Sequence, residues 1–109
     1  MGLTDVSPLA AKQRKFVADV GSLIVYAYSQ GYELSFGDAY RDGRCWYGHT
    51  HSLHKLRLAV DLNLFKNGVY LTDTADHKVL GEFWESLGNQ WGGRFGDGNH
   101  YSVKHNHMR

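Results

Sequence analysis

Two segments of this 109-residue chain concentrate the side chains that can do chemistry. They span residues 52–61, SLHKLRLAVD, and residues 91–101, WGGRFGDGNHY, and their reactive side chains are His54, Asp61, Asp97 and His100. Two imidazoles and one carboxylate are a sufficient protein ligand set for catalytic zinc, which keeps its fourth position for water. The metal lowers the pKa of that water toward roughly 7 and polarises a scissile carbonyl, so a further carboxylate can accept the proton. The two segments are therefore compatible with a zinc hydrolase.

The same residue types also have ordinary structural roles. The chain has seven histidines, and we expect these five to be loop, surface or tail residues: His49, His51, His77, His105 and His107. An aspartate on a strand is more often hydrogen-bonded than bound to a metal, and Asp97 between two glycines can simply stabilise a turn. Residue types and spacing by themselves leave both interpretations open.

Length and composition predict one compact domain spanning residues 1–109. The chain has 42% hydrophobic and 14% aromatic residues, enough for a single core, and it is too short for two ordinary domains. Its formal net charge is +1, and no run of lysine and arginine marks an electrostatic footprint, which argues against nucleic acid as a partner. We expect a monomer whose tail, residues 104–109, is a candidate for disorder.

The cysteine content and the amino terminus bear on the compartment. Cys45 is the only cysteine, so no intrachain disulfide is expected and a reducing environment suits the chain. The opening residues, MGLTDVSPLAAKQRK, have no uninterrupted apolar stretch behind a basic start, and no segment approaches the roughly 20 apolar residues of a membrane span. We therefore expect a cytoplasmic protein that does not insert into a membrane.

Two helices are predicted among the elements that must position these residues. Ser7 is a good N-cap, Pro8 suits the first helical position, and Gly31 suits the end of the helix. Between them, apolar residues recur with helical spacing at Phe16, Val20, Leu23, Ile24 and Ala27. A second helix is predicted from about residue 76 to 87, capped by Asp73 or Thr74 and ended by Gly88. Its inner stripe is Val79, Leu80, Phe83, Trp84 and Leu87.

The strand pattern is clearest at residues 58–65, where an aliphatic row alternates with a face that carries Asp61. Lys66-Asn67-Gly68 then predicts a hairpin into a strand at 69–71, because Asn-Gly suits positive φ. Shorter strands are predicted at 32–40 and 101–103, with a loop at 42–50. These elements predict an α+β fold in which helices pack on a small antiparallel sheet.

The segment SLHKLRLAVD resembles the Ser-x-His-(x)6-Asp signature of the D-alanyl-D-alanine carboxypeptidase and L-alanyl-D-glutamate peptidase family, which includes VanY-type enzymes and phage endolysins. The later Trp-Gly-Gly-(x)3-Asp-x-x-His segment resembles the second motif of that family, and the similarity extends to the opening helix and GYELSFGDAYRD. The resemblance implies a fold like that of D-Ala-D-Ala peptidases and the hedgehog domain. It also implies one zinc ion bound by His54, Asp61 and His100, with Asp97 as the catalytic acid/base.

The resemblance extends to two further residues. It implies that Arg41 pairs with a peptide carboxylate or the developing oxyanion, as a catalytic and substrate-binding residue, and that Ser52 hydrogen-bonds substrate. From the residues themselves, a surface salt bridge and a loop cap are the alternatives. Family members often have glycine in the middle of the first motif, where this chain has Leu56-Arg57. We therefore expect the turn between the first two ligands to differ, and Arg57 is a candidate for contact with substrate.

Three other residues compete for roles in the site. Glu82 and Glu85 are rival bases, but both fall on the second predicted helix, where we expect them to face solvent. Trp91 either lines the cleft or packs in the core.

The function implied by the resemblance is hydrolysis of the L-Ala-D-Glu bond in the stem peptide of bacterial peptidoglycan by a phage endolysin. Such a protein resides in the host cytoplasm and reaches the cell wall after a separate holin opens the membrane. The alternatives are a D-alanyl-D-alanine carboxypeptidase, a non-catalytic zinc-stabilised binding module and an HNH-like nuclease. Retention of Asp97 argues against the module, and the missing basic patch argues against the nuclease.

Overall fold

A computed structural model of the chain describes residues 7–37 and 56–105. Within these ranges the protein has two α-helices, five strands and two 3-10 helices, which confirms the predicted α+β class. In chain order they are α1 (Pro8–Ser29), β1 (Glu33–Phe36), β2 (Ala59–Lys66), β3 (Val69–Leu71), η1 (Thr74–His77), α2 (Lys78–Ser86), β4 (Gln90–Trp91), η2 (Gly92–Phe95) and β5 (His100–Ser102). None of the helices in the described ranges has the length and apolar character needed to cross a membrane.

The sheet is antiparallel, and β2 lies at its centre. One edge of β2 pairs with β1, from Glu33↔Phe65 to Phe36↔Leu62. The opposite edge pairs with two strands in succession, since β5 lies beside its first residues and β3 beside its last ones. Strand β4 then extends the sheet beyond β5. Strands β3 and β5 therefore share one edge of β2 and leave a gap between them near Asn63.

Helix α1 has the ends that its sequence predicts. The Ser7 side chain accepts a hydrogen bond from the Ala10 N–H at 3.4 Å, Pro8 occupies the first turn, and Gly31 follows the helix with φ +87°. The predicted stripe faces the core: Phe16, Leu23 and Ala27 are buried, and Val20 and Ile24 are half-buried. The helix packs against α2 through aromatic rings.

Helix α2 differs from the prediction in its first turn. The 3-10 helix η1 comes first, with Asp73 as its N-cap, and the Asp76 carboxylate accepts a hydrogen bond from the Asp73 N–H at 3.1 Å. The α-helix follows and begins at Lys78. Leu80 and Trp84 are fully buried, as predicted. The placement of Val79 on the inner stripe is wrong, because its side chain is 41% exposed. It precedes Leu80 by about 100° around the helix and lies outside the buried face.

The predicted hairpin is confirmed. Lys66 pairs with Val69, and the two turn residues, Asn67 and Gly68, have φ values of +52° and +77°. These angles match the two-residue turn that suits the twist of paired strands. The strand predicted at 32–40 is confirmed at Glu33–Phe36, while residues 38–40 and the loop at 42–50 lie outside the described residues.

The core lies between the two α-helices and the aliphatic face of β2. Leu62 and Leu64 of β2 are fully buried in this core, together with Trp84 of α2 and Tyr101 of β5. The Trp84 Nε1–H donates to the Gln90 and Ser102 carbonyls at 3.1 and 2.9 Å, which ties α2 to β4 and β5. Because side chains alternate along a strand, Asp61 points to the face of β2 opposite this aliphatic row.

Candidate metal centre

Asp61 and His100 face each other across the pairing of β2 with β5. Residues directly opposite on antiparallel strands project to the same face of the sheet. His100 Nδ1 lies 3.2 Å from Asp61 Oδ1, and the two residues are 8% and 7% exposed. The strand register thus brings together two predicted metal ligands that come from different motifs.

The chemistry of this pair fits zinc. Imidazole nitrogen and carboxylate oxygen are both common zinc ligands, and the burial of the pair limits competition from bulk water. The 3.2 Å between His100 Nδ1 and Asp61 Oδ1 is a hydrogen-bond distance, and it is also short enough that both atoms could bind one ion. His100 Nε2 is buried as well.

The other predicted ligand, His54, lies outside the described residues, as do Arg41 and Ser52. In the ranges 7–37 and 56–105, no group of three or more His, Cys, Asp or Glu side chains is assembled. The described part of the site therefore contains two donors of the predicted set, and the positions of the remaining site residues stay predictions.

Asp97 lies on the glycine-rich loop between η2 and β5, three residues before His100. Its side chain is exposed, and its backbone is held at both ends. The Asp97 N–H donates to the Gly92 carbonyl at 2.9 Å, and the Asp97 carbonyl accepts from the His100 N–H at 3.2 Å. The loop therefore carries a solvent-accessible carboxylate three residues before a buried imidazole.

The glycines of the second motif are explained by close packing. A Cβ on Gly92 would lie 2.4 Å from the Asp97 carbonyl oxygen and 2.7 Å from His100 Cβ. A Cβ on Gly93 would lie 2.2 Å from the ring of Trp91. A side chain at Gly92 would therefore push apart the backbone segments that carry Asp97 and His100, and one at Gly93 would displace the Trp91 ring.

Trp91 packs in the core, which is one of its two predicted roles. The side chain is 3% exposed, and its ring fills the space where a Cβ on Gly81 would lie at 2.1 Å. Its Nε1–H donates to the Gly98 carbonyl at 2.7 Å, inside the loop that carries Asp97. Trp91 therefore holds the loop that carries Asp97 against the core.

A cavity of about 170 Å³ lies beside Asp97, in the gap between the end of β3 and the start of β5. Polar side chains dominate its wall: Asn63, Tyr70, Thr72, Thr74, His77 and Asp97. Asn63 lies two residues after Asp61, on the same face of β2. Its amide donates to Ser35 Oγ at 3.3 Å and accepts from Tyr70 Oη at 3.4 Å. Asn63 was not among the predicted site residues, although its Asp-x-Asn spacing from Asp61 within the strand could have indicated it.

The prediction that His77 is a loop or surface residue is wrong. The side chain is 2% exposed, and its Nδ1 lies 2.8 Å from Tyr101 Oη. Burial lowers the pKa of His77, and the nearby carboxylates of Asp76 and Asp97 offset part of that shift. Burial also raises the pKa of Tyr101, so its phenol stays protonated. His77 thus fixes the residue that follows His100, and its helical spacing from Gly81 and Trp84 was the signal that could have found it.

The two rival bases differ in their surroundings. Glu82 is exposed, as predicted, whereas Glu85 is half-buried and forms a two-point ion pair with Arg94. The distances are 2.9 Å from Arg94 Nε and 2.7 Å from Arg94 Nη2. This hydrogen-bonded pairing lowers the pKa of Glu85, so its carboxylate is a poor proton acceptor.

The turn before β2 contains a backbone conformation that glycine favours. Arg57 has φ +58°, in the left-handed region that glycine and asparagine adopt far more often than arginine. The turn is tied to α1 by the Gln13 Nε2–H, which donates to the Leu56 carbonyl at 2.9 Å. The first motif therefore contains a left-handed residue at Arg57, four residues before Asp61.

A comparison with protein-family models finds a family that the chain matches. The sequence model of the family described as D-alanyl-D-alanine carboxypeptidase matches residues 47–103, more than half of the chain. The matched range includes Asp61, Asp97 and His100, together with His54 and Ser52, while Arg41 precedes it. A comparison with curated proteins finds no match.

Proposed function

Since the chain belongs to the D-alanyl-D-alanine carboxypeptidase family of zinc peptidases, we propose that it hydrolyses the L-Ala-D-Glu bond in the stem peptide of bacterial peptidoglycan. Family membership indicates a peptidoglycan-directed metallopeptidase in general. The choice of bond rests on the resemblance of the sequence to a family that includes L-alanyl-D-glutamate peptidases and phage endolysins. The observation that carries the proposal is the pairing of buried Asp61 and His100 across β2 and β5, with the exposed Asp97 three residues before His100 in the adjoining loop.

In this proposal His54, Asp61 and His100 hold one zinc ion. When bound, zinc supplies a Lewis acid for the scissile carbonyl and lowers the pKa of water. The remaining chemistry belongs to side chains of the chain itself. Asp61 and His100 lie on paired strands, so the sheet holds these two ligands rigidly relative to each other.

Asp97 acts as general base and then as general acid. Its carboxylate accepts a proton from the attacking water as the new carbon–oxygen bond forms. It returns that proton to the leaving nitrogen as the carbon–nitrogen bond breaks, so the amine departs neutral. Arg41 stabilises the negative charge on the carbonyl oxygen, and Ser52 hydrogen-bonds the peptide.

The proposed setting is that of a phage endolysin acting as a monomer. The protein accumulates in the host cytoplasm, a separate holin permeabilises the membrane, and the enzyme then reaches the cell wall. The site needs no nucleic-acid partner and no membrane insertion for this chemistry.

The test is digestion of purified peptidoglycan by wild type and by Asp97→Asn, with bound zinc and released termini measured. We expect wild type to expose new amino-terminal D-glutamate. The variant keeps zinc and loses activity by about 100-fold or more, since general base catalysis contributes about 10²–10⁴-fold. Glu85→Gln is the matched control, because it changes the paired carboxylate on α2, and it keeps wild-type activity. Full activity in the Asp97 variant would refute the assignment of the base.

A D-alanyl-D-alanine carboxypeptidase is the second candidate, because the matched family has that description. It uses the same metal chemistry but must also recognise a free terminal carboxylate, a role that Arg41 is suited to. In the same digestion it releases only D-alanine. If zinc-loaded wild type releases nothing, the zinc-stabilised binding module becomes the better hypothesis.

A further inference from the structure

We propose that Thr74 is a positioning residue for Asp97. This inference rests on the proposed function, in which Asp97 is the general base. The Thr74 Oγ1 lies 3.3 Å from the Gly96 carbonyl oxygen, to which it donates, and 3.2 Å from the Gly98 nitrogen, from which it accepts. These two glycines flank Asp97 directly, so one hydroxyl group holds the backbone on both sides of the carboxylate.

The loop needs such a hold because of its sequence. Glycine on each side of Asp97 gives the backbone more freedom than any other residue would, and Gly96 uses it with φ +80°. The Asp97 side chain is exposed, so surrounding side chains do not pack it into one orientation. A general base works only within hydrogen-bond reach of its proton, and a misplacement of about 1 Å can reduce the rate by about 100-fold.

Thr74 also packs closely against the backbone of the loop at Gly98. A Cβ on Gly98 would lie 2.6 Å from Thr74 Cα and 3.1 Å from Thr74 Cβ, so glycine at position 98 permits this close approach. On the other side, the Trp91 Nε1–H donates to the Gly98 carbonyl at 2.7 Å, and the Asp97 N–H donates to the Gly92 carbonyl at 2.9 Å. The loop is therefore clamped between η1, which provides Thr74, and the segment 91–92.

Thr74 itself is fixed relative to the metal ligands. It begins η1, whose last residue, His77, is buried and lies 2.8 Å from Tyr101 Oη through Nδ1. Tyr101 follows His100 in β5. The 3-10 helix therefore holds the Asp97 loop at one end and the ligand-bearing strand at the other, which couples the position of the base to that of the metal.

The experiment compares kcat and KM on a synthetic stem peptide that contains the L-alanyl-D-glutamate bond. Thr74→Val keeps the shape of the side chain and removes both hydrogen bonds, whereas Thr74→Ser keeps the hydroxyl group. Thr72→Val makes the same change two residues earlier on the same cavity wall and is the matched control. Bound zinc and the midpoint of thermal unfolding are measured for each variant, and kcat is expressed per zinc-loaded folded chain.

We expect Thr74→Val to keep one zinc per chain and a KM within about 2-fold of wild type, while kcat falls by about 10- to 100-fold. Thr74→Ser restores kcat to within a few-fold, and Thr72→Val keeps the wild-type value. Thr74→Ala removes the same hydroxyl group without the β-branch, and it shows the same loss of kcat even if the valine variant folds poorly.

Three results would overturn the inference. The first is an unchanged kcat in zinc-loaded Thr74→Val and Thr74→Ala, with only a lower unfolding midpoint. The second is a loss of kcat in Thr72→Val equal to that in Thr74→Val. The third is a kcat in Thr74→Ser that stays as low as in Thr74→Val. Asp97→Asn, assayed in parallel, separates this failure from a failure of the proposed function. If Asp97→Asn is inactive while the Thr74 variants are fully active, Asp97 remains the base and Thr74 has no positioning role. If Asp97→Asn keeps its activity, the assignment of the base fails first.

Discussion

Asp61 and Asp97 are the two aspartates of the proposed site, and their surroundings suit two different tasks. Asp61 is 7% exposed and lies against a buried imidazole on the neighbouring strand, so its orientation is fixed and water has little access to it. Asp97 is exposed on a glycine-flanked loop, where its carboxylate can meet a water molecule and exchange a proton. The first environment suits a metal ligand, and the second suits a group that exchanges protons with water.

His77 supplies a prediction about pH. Burial lowers its pKa below the usual value of about 6.5, although Asp76 and Asp97 raise it in part. The unfolded chain therefore binds more protons than the folded chain in the window between the lowered pKa and about 6.5. The stability that this histidine contributes is complete above that window and is lost as the pH falls through it.

We expect the free energy of unfolding to decrease as the pH falls below about 6.5, and to decrease less in His77→Asn. The asparagine amide can approach Tyr101 Oη as Nδ1 does, but it does not titrate. Urea unfolding at about pH 7.5 and about pH 5, with chelator present to keep metal binding out of the comparison, measures the difference. Equal pH dependence in the two proteins would contradict the prediction.

Among the elements, β2 does most to organise the site. Its first residues pair with β5 and set Asp61 against His100, while its last residues turn through Asn67-Gly68 into β3. Because β3 and β5 occupy the same edge without meeting, the residues between them border the cavity beside Asp97. The cavity therefore lies between β3 and β5 because these two short strands pair with different parts of the same edge of β2.

Substitution of Gly92 tests how closely the segments around the site must pack. In Gly92→Ala the new methyl group meets the Asp97 carbonyl oxygen at 2.4 Å and His100 Cβ at 2.7 Å, so the backbone must shift. We expect a loss of about 1–3 kcal/mol in the free energy of unfolding, as in other overpacked sites, together with reduced activity.

The matched control for Gly92→Ala is Gly21→Ala, in the middle of α1. A Cβ there meets nothing within 4 Å, and alanine favours a helix over glycine by about 0.5–1 kcal/mol. We therefore expect this variant to be more stable than wild type and equally active. Urea unfolding midpoints and peptide hydrolysis rates measure both effects, and wild-type values for Gly92→Ala would show that the loop adapts without cost.

For the molecule as a whole, the helices and the proposed metal site lie on different faces of the sheet. The aliphatic row of β2, including Leu62 and Leu64, packs under α1 and α2, while Asp61 alternates with that row and points the other way. The helical face therefore supplies most of the hydrophobic stability. The opposite face is left for chemistry, with β2 common to both.

Removal of the metal tests whether the ion stabilises the whole fold. An ion that binds the folded chain but not the unfolded one stabilises it by about 4 kcal/mol at a free concentration of about 1,000 times its Kd. We expect chelation to lower the unfolding midpoint of wild type, measured by calorimetry. The midpoint of Asp61→Asn is insensitive to chelator because a ligand is missing, whereas Asp97→Asn, which keeps all proposed ligands, responds like wild type. A chelator response in Asp61→Asn equal to that of wild type would contradict its role as a ligand.

The sequence by itself determined the features that depend on neighbours a few residues away. Ser7 and Pro8 begin α1, Gly31 ends it, and Asn67-Gly68 forms the hairpin turn, because capping and positive φ are local properties of the backbone. The two motifs were recognisable for a similar reason, since each is a short run of residues with fixed spacing. Both lie within the range 47–103 that the family model matches.

Only the tertiary structure decided which residues meet across the fold. The register that sets Asp61 against His100 joins segments 39 residues apart, and no local pattern specifies it. His77 of η1 is buried in contact with Tyr101, which lies in strand β5, and β4 is too short to show any periodicity in the sequence. Thr74 was predicted only as a helix cap, yet its hydroxyl group contacts a loop more than 20 residues later. Long-range packing, which depends on partners that sequence spacing does not reveal, therefore gave these residues their roles.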